Sequence, residues 1–176
     1  MGAILQTVGQ LDRTWMLGLA RRHVPRWLDR AFRLGTHLGG ATATLATGLL
    51  LTLVSATRPI GLAALIANAA SHIVAQLLKR RFVRPRPHLQ LGALDPLIPI
   101  PDAFSFPSGH ACAAMAVAAT VAASTPLVIG IPAVALALFV GLSRVYLRVH
   151  FVTDVLVGGV LGLGGALFGW SVIGSR

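Results

Sequence analysis

The sequence predicts an all-α fold: an integral membrane helical bundle of about five transmembrane helices, preceded by amphipathic helices at the interface. The chain is 55% hydrophobic and only 11% charged, whereas a soluble domain carries about 25% charged residues. Its mean hydropathy is +0.77. Five apolar runs without charged residues follow residue 36, and a run of about 20 such residues is long enough to cross a hydrocarbon core.

The N-terminal part, residues 1–36, differs in pattern from the transmembrane part, residues 37–176. Apolar residues recur at spacings of three and four up to Leu19, with charged residues between them. Beyond Pro25, Trp27 and its apolar neighbours oppose a row of arginines. Arginine on one face and tryptophan on the other is typical of a helix that lies in the membrane interface. We therefore expect residues 1–36 to form an amphipathic interfacial segment.

The five apolar runs define the expected spans. Residues 38–57 and 60–78 form the first two, and residues 155–174 form the fifth. Residues 103–143 contain no Asp, Glu, Lys or Arg and hold the third and fourth, with a break at Ser124-Thr125-Pro126. Within the fifth run the glycines have the small-xxx-small spacing that lets helices approach closely: Gly158 and Gly162, then Gly165 and Gly169.

An arginine, a histidine and an aspartate before the fifth run are the first candidates for chemistry. Arg144 precedes His150 by six residues, and Asp154 follows it by four. If the chain is helical from His150 onward, this spacing puts His150 and Asp154 on one face. The carboxylate can then accept the Nδ1 proton, which leaves Nε2 free as base or nucleophile. The guanidinium of Arg144 suits phosphate oxygens. Pairs of this kind are also common as structural hydrogen bonds, so the spacing alone does not establish a site.

Two further stretches strengthen that interpretation. A basic cluster, residues 79–86, closes the second run, and Pro107-Ser108-Gly109-His110 opens the third. The Ser108 hydroxyl and the free backbone N–H groups of a helix N-terminus form an anion site, and His110 adds a titrating group beside it. Since two spans separate this stretch from Arg144, we expect all three stretches to emerge on the same membrane face.

Together these residues resemble the three-part signature of the type 2 phosphatidic acid phosphatase superfamily. Its members are membrane lipid phosphatases that share their site with vanadium haloperoxidases. Every signature position is filled in the right order: Lys79 with Arg86-Pro87, Pro107 to His110, and Ser143-Arg144 with His150 and Asp154.

The resemblance implies a metal-independent mechanism with a phosphohistidine intermediate and no cofactor. His150 would attack phosphorus, Asp154 would orient its ring, and His110 would act as general acid. The groups that would hold the phosphoryl oxygens are Lys79, Arg86, Ser108, Gly109 and Arg144. Phosphoryl transfer needs mostly positioning and positive charge, which these residues supply. The chain has five Asp and no Glu, and only one Asp adjoins the motifs, so no carboxylate cluster is expected to hold Mg²⁺.

We therefore expect an integral membrane lipid-phosphate phosphatase. Candidate substrates are phosphatidic acid, phosphatidylglycerol phosphate, polyprenyl diphosphate and a polyprenyl-linked sugar phosphate. A lipid phosphotransferase using the same site and a catalytically inactive membrane scaffold are the alternatives. A net charge of +10 can indicate nucleic-acid binding. Arginines between long apolar runs instead favour phosphate groups of membrane lipids, so no nucleic-acid partner is expected. The oligomeric state stays open.

Charge distribution predicts the orientation in a bacterial inner membrane. With five spans, the N-terminal segment and the motifs share one side, and all fifteen Lys and Arg except Arg58 and Arg176 fall there. The positive-inside rule then places the site in the cytoplasm. The alternative is an outward-facing site, because the resemblance implies many bacterial relatives with that orientation.

Other polar residues near the motifs receive structural interpretations. Asn68 and His72, on one stripe of the second span, are expected to make interhelical hydrogen bonds, with support of the site as the alternative. Arg80, Arg81 and Arg84 are expected to anchor lipid headgroups, with substrate contact as the alternative. Asp95 and Asp102 are expected to be solvated at the surface, with orientation of a basic site residue as the alternative.

Overall fold

The computed structural model describes residues 2–21, 24–92, 94–100 and 102–174; Arg22 and Arg176, which enter the charge count, lie outside them. Within these ranges the chain forms eight α-helices and no strand, as the sequence predicts. The helices are α1 (Gly2–Ala20), α2 (Arg26–Gly35), α3 (Ala41–Leu53), α4 (Arg58–Phe82), α5 (Pro87–Leu91), α6 (Gly109–Ala122), α7 (Leu127–Tyr146) and α8 (Val152–Gly174).

Each of the five predicted apolar runs contains an α-helix. Among the described residues, α4 with its preceding turn, α7 and α8 are long and apolar enough to cross a membrane. The apolar helices α3 and α6 are shorter, with 13 and 14 residues. Extended backbone at Gly40 and Val54 bounds α3, and Ser108 caps the start of α6. The predicted break at residues 124–126 separates α6 from α7.

Helix α8 packs against both α6 and α4, and its glycines permit the close approach. A Cβ at Gly158 or Gly162 would come within 2.5 Å of a backbone oxygen at the start of α6. A Cβ at Gly165 or Gly169 would come within 2.6 Å of one in α4. The predicted packing role of these glycines is confirmed.

The bundle core is built from small residues, whereas the large apolar side chains point outward. Nine residues of α6 are buried, and five of them are alanines. Large apolar side chains are more than half exposed on α3, α4, α7 and α8, for example Leu50, Ile73, Leu138 and Leu167. This arrangement suits a protein surrounded by lipid, because an aqueous surface would not carry so much exposed hydrocarbon.

Helices α1 and α2 pack at the end of the bundle that carries the motifs. Met16 of α1 is buried with Phe151, which follows His150. Phe32 of α2 stacks on Phe139 and also contacts Tyr146, both in α7. The N-terminal segment therefore joins the motif end of the bundle, where it contributes side chains to the site described next.

Candidate active site

The three predicted motifs converge on one cavity of about 450 Å³ at this end of the bundle. The second motif lies at the N-terminus of α6, and the third spans the end of α7, the following loop and the first turn of α8. The predicted residues that form the cavity wall are Lys79, Arg86, Gly109, His110, Arg144 and His150. Ser108 and Asp154 are fully buried behind that wall.

His150 is buried and is held through both ring nitrogens. Its Nδ1 lies 2.7 Å from the carbonyl oxygen of Ser105 and 3.8 Å from Oδ2 of Asp154. Its Nε2 lies 3.3 Å from Nη1 of Arg86. Because a carbonyl only accepts and a guanidinium only donates, Nδ1 carries the proton, and Nε2 presents its lone pair on the cavity side, where it accepts from Arg86. Nδ1 therefore donates to a backbone carbonyl. The sequence spacing had predicted Asp154 as its acceptor instead.

The surroundings of His150 favour its neutral form. Burial is the main reason that the pKa of His150 falls from its usual 6.5 to about 4. The positive charges of Arg144 and Arg86 lower the pKa as well, while Asp154 opposes them. At pH 7 the imidazole is therefore neutral, which is the form that can act as a nucleophile.

Asp154 belongs to a network of hydrogen bonds and ion pairs on the far side of His150 from the cavity. Its Oδ2 accepts the amide N–H of Phe151 at 2.8 Å, and its Oδ1 accepts from Arg84 Nη1 at 2.7 Å. The Nη2 of Arg84 binds Asp12 of α1 at 2.8 Å. Asp12 also accepts the backbone amide and the hydroxyl of Thr153. We call Asp12, Arg84, Thr153 and Asp154 the rear network.

Arg84 does not anchor lipid headgroups, so that expectation is wrong. It lies between two buried carboxylates, with its guanidinium carbon 4.2 Å from the centre of the Phe151 ring. The reason is local: Val83, just after α4, adopts a left-handed conformation with φ of 39°, and Arg84 follows this turn. Arg86, two residues further on, lies in the cavity wall instead.

Asp102 orients two of the cations in the wall. Arg86 donates from Nη2 to Oδ1 of Asp102 at 3.0 Å and from Nε to its carbonyl oxygen at 2.6 Å. The Nζ of Lys79 lies 3.1 Å from Oδ2. Burial raises the pKa of the Asp102 carboxyl, but the ammonium of Lys79 and the guanidinium of Arg86 outweigh it, so the pKa lies below its usual value. Surface solvation alone is therefore wrong for Asp102, and the alternative role, orientation of a basic site residue, is confirmed.

Arg144 is the least satisfied cation of the wall. It is 4% exposed, and its Nη1 donates to the hydroxyl of Thr36 at 3.0 Å. Its Nε is buried and has no hydrogen-bond partner among the described residues. We call Lys79, Arg86, Arg144 and Asp102 the front cluster. With three cations and one carboxylate it carries a net positive charge, which suits an anion.

The start of α6 completes the wall. The hydroxyl of Ser108 accepts the amide of Ala111 at 3.4 Å and caps the helix. Gly109 lies at the cavity, where an added Cβ would meet nothing within 4 Å, so a ligand can approach the helix N-terminus. His110 is partly exposed in the wall. Ser108 thus shapes the anion site from behind the wall.

The polar stripe of α4 also lines the cavity. Asn68 donates to Thr44 of α3 at 3.1 Å, which confirms the expected interhelical bond. His72 instead pairs with Gln76 of its own helix at 3.2 Å, so an interhelical bond is wrong for His72.

Comparison with known proteins agrees with this geometry. Residues 60–176 match the family described as the PAP2 superfamily. The chain belongs to this superfamily. The PAP2 chain is 34% identical over 153 residues to phosphatidylglycerophosphatase B of Bacillus subtilis (strain 168), a match that covers 78% of this chain and 71% of that protein. It is 32% identical over 113 residues to an undecaprenyl-diphosphatase of Sulfolobus acidocaldarius, covering 64% of this chain and 55% of that protein.

A solved structure shares the PAP2 fold. It is the transmembrane PAP2-type phosphatidylglycerolphosphate phosphatase from Bacillus subtilis, with a TM-score of 0.77 and 30% identity. The match covers 96% of this chain and 87% of that chain. The family resemblance drawn from the motifs is therefore confirmed.

Sequence reasoning on this PAP2 chain missed several contributors to the site, and Thr153 of the rear network is one of them. Ser105 acts through its backbone carbonyl, which leaves no trace in residue type. Asp12 and Thr36 come from the segment assigned to the interface. Arg84 was noticed as one of several arginines in the basic cluster but was assigned to lipid headgroups. Sequence alone does not show which of these side chains point towards the site.

Proposed function

We propose that this protein is an integral membrane lipid phosphatase that hydrolyses a phosphomonoester or diphosphate of a lipid through a phosphohistidine. The observation that carries the proposal is His150, a buried neutral imidazole whose Nε2 faces a cavity walled by three cations. The names of the relatives, a phosphatidylglycerophosphatase and an undecaprenyl-diphosphatase, support a lipid phosphate as substrate.

In the first step, the Nε2 lone pair of His150 attacks phosphorus and the bond to the leaving oxygen breaks. Lys79, Arg86, Arg144 and the amide of Gly109 hold the phosphoryl oxygens, where charge is present throughout the transfer. His110 enters this step as an imidazolium, a form that the phosphate anion stabilises, and donates its proton to the leaving oxygen, which leaves a neutral imidazole. The Nδ1–H bond to Ser105, with Asp154 nearby, stabilises the positive charge that develops on the ring.

In the second step, His110 takes a proton from water, which attacks the phosphohistidine. The N–P bond breaks, phosphate leaves the front cluster, and His150 returns to its neutral form. Each step moves one proton through His110, and no further reactant is required.

We propose that neither step needs a metal ion. Positive charge from the front cluster supports this proposal. So does the composition of the site, because the described residues contain no group of three His, Cys, Asp or Glu side chains placed to hold a metal. Activity should survive EDTA, and orthovanadate should inhibit strongly because it adopts the five-coordinate geometry of the transition state. Strict dependence on added Mg²⁺ would contradict this part of the proposal.

Phosphate release from a panel of purified lipid phosphates in detergent tests the function. We expect release from at least one of phosphatidic acid, phosphatidylglycerol phosphate, a polyprenyl diphosphate and a polyprenyl-linked sugar phosphate. No release from any of them would contradict the proposal. Transfer of phosphate to another lipid alcohol without free phosphate would identify a phosphotransferase.

We further propose that the protein lies in a bacterial inner membrane with the site on the cytoplasmic side and residues 1–36 in the interface. The distribution of basic residues supports this orientation. A hydrogen bond from Arg13 of α1 to Gln90 of α5 supports a shared side for the N-terminal segment and the motifs. Leu89, 57% exposed in α5, can be replaced by cysteine in a Cys112→Ala background. Labelling by a membrane-impermeant reagent on intact cells would contradict the cytoplasmic orientation; labelling only after lysis is expected.

A further inference from the structure

The cavity extends away from the front cluster along α4. Lys79, Gln76, His72 and Asn68 line it at spacings of three and four, so they share one face of the helix. At 1.5 Å per residue, Lys79 and Asn68 are about 16 Å apart along the axis. Leu45 of α3 forms part of the wall near the far end. A ligand whose phosphate lies in the front cluster therefore has its next atoms beside α4.

His72 and Gln76 bring unused hydrogen-bonding groups to this part of the cavity. Both residues are exposed, although they lie within a helix long and apolar enough to cross a membrane. Their Nε2 atoms are 3.2 Å apart. When the amide donates to the ring, His72 keeps an Nδ1–H donor, and Gln76 keeps its carbonyl acceptor and a second N–H. Asn68, by contrast, already bonds to Thr44.

Polar side chains at membrane depth are costly without partners and commonly serve a ligand pathway. The His72–Gln76 pair satisfies only part of its own capacity, and it faces the cavity that holds the candidate catalytic residues. A structural role alone would be met by a bond to a neighbouring helix, as Asn68 makes.

We infer that His72 and Gln76 form a specificity subsite for the oxygen-bearing group that joins the phosphate to the lipid tail. This inference rests on the proposed function, because it requires the phosphate to bind at the front cluster. Gln76 and His72 lie about 5 and 10 Å from Lys79 along the helix axis, a distance that a glycerol or sugar unit spans. Hydroxyl or ester oxygens would satisfy the pair. A hydrocarbon attached directly to the phosphate would leave it unsatisfied, at a cost in binding.

Two monophosphates with the same oleyl-length chain test the inference in the purified protein. In 1-oleoyl lysophosphatidic acid, a glycerol with one hydroxyl and one ester joins phosphate and chain; in oleyl phosphate, the chain is attached directly. The natural protein should hydrolyse the lysophosphatidic acid with a kcat/KM about tenfold higher, as expected for one or two hydrogen bonds. In a Gln76→Leu variant, and separately in His72→Leu, this ratio should fall several-fold towards one, again the scale of a single hydrogen bond. Leu77→Ala, a neighbour that is 61% exposed on α4 and outside the cavity wall, should keep the ratio of the natural protein.

The outcomes separate the two levels of the proposal. Hydrolysis of both lipids with equal kcat/KM by the natural protein, or faster hydrolysis of oleyl phosphate, would overturn the subsite while leaving the phosphatase intact. A ratio that persists in both Leu variants would overturn the assignment to His72 and Gln76. If either variant fails to fold, the kcat/KM ratio of the two lipids on the natural protein still tests whether the subsite exists. Failure to hydrolyse either lipid, or any other lipid phosphate, would overturn the proposed function itself.

Discussion

Two polar regions flank His150 and differ in how their charges are balanced. In the rear network, Arg84 lies between the carboxylates of Asp12 and Asp154, and hydroxyl and amide groups of the chain supply further hydrogen bonds. In the front cluster, Lys79 and Arg86 share the single carboxylate of Asp102. The third cation, Arg144, donates to the Thr36 hydroxyl, and its Nε has no partner among the described residues.

The difference separates orientation from binding. A buried network whose members all have partners fixes the geometry of the chain around it, and removing one member leaves a buried charge behind. A cluster with excess positive charge in a cavity is costly by itself and is relieved by an anion. Changes at the rear should therefore reduce stability and activity together, whereas changes at the front should reduce activity alone.

The largest effect is expected from Arg84→Ala. It leaves Asp12 and Asp154 buried without their cation, and breaking a buried ion pair in this way costs about 3–5 kcal/mol. Thermal unfolding in detergent should show a large loss of stability, accompanied by loss of phosphate release. Arg81→Ala is the matched control, since Arg81 is an exposed arginine of the same basic cluster. Equal stability of the two variants would contradict the role of the rear network.

His150 should make stability depend on pH. Its pKa is about 4 when folded and 6.5 when unperturbed, so the unfolded chain binds more protons between these values, and stability is lost as pH falls from 6.5 to 4. At 1.36 kcal/mol for each pKa unit, the loss approaches about 3 kcal/mol. His150→Asn, which cannot titrate, should lose less stability than the natural protein over this range in detergent. Parallel curves for the two proteins would show that His150 does not titrate as described.

A front-cluster change should have a smaller, purely functional effect. In Arg144→Lys the charge is kept but the planar fork is lost. Losing one charge-assisted hydrogen bond, at about 1.5–3 kcal/mol, should lower kcat/KM by roughly 10- to 150-fold and weaken orthovanadate inhibition. The midpoint of thermal unfolding should change little. A loss of stability as large as that of Arg84→Ala would erase the distinction between front and rear.

The contrast between the front cluster and the rear network also explains which parts of the fold and the site could be predicted from the sequence. The apolar runs predicted the helices because membrane helices depend on composition and length, and fixed motif spacings predicted which of the cavity residues would meet. The rear network was not predictable in this way. Asp12 and Thr153 are 141 positions apart in sequence, and the direction of Arg84 depends on the left-handed backbone of Val83. Ser105 contributes a carbonyl that every residue type possesses.

The most direct test of the account is detection of a phosphohistidine at position 150. In His110→Ala, an activated aryl phosphate needs no proton on its leaving group, whereas hydrolysis of the intermediate still needs His110 as base. The variant is mixed with an aryl phosphate that carries a radiolabelled phosphoryl group, and the reaction is quenched rapidly. The label on the protein should be acid-labile and alkali-stable and should accumulate in His110→Ala. Mass spectrometry should map it to His150. The double variant that also carries His150→Ala should remain unlabelled, and His150→Ala alone should release no phosphate. Turnover that persists in His150→Ala, or a label that maps to another residue, would contradict the central claim.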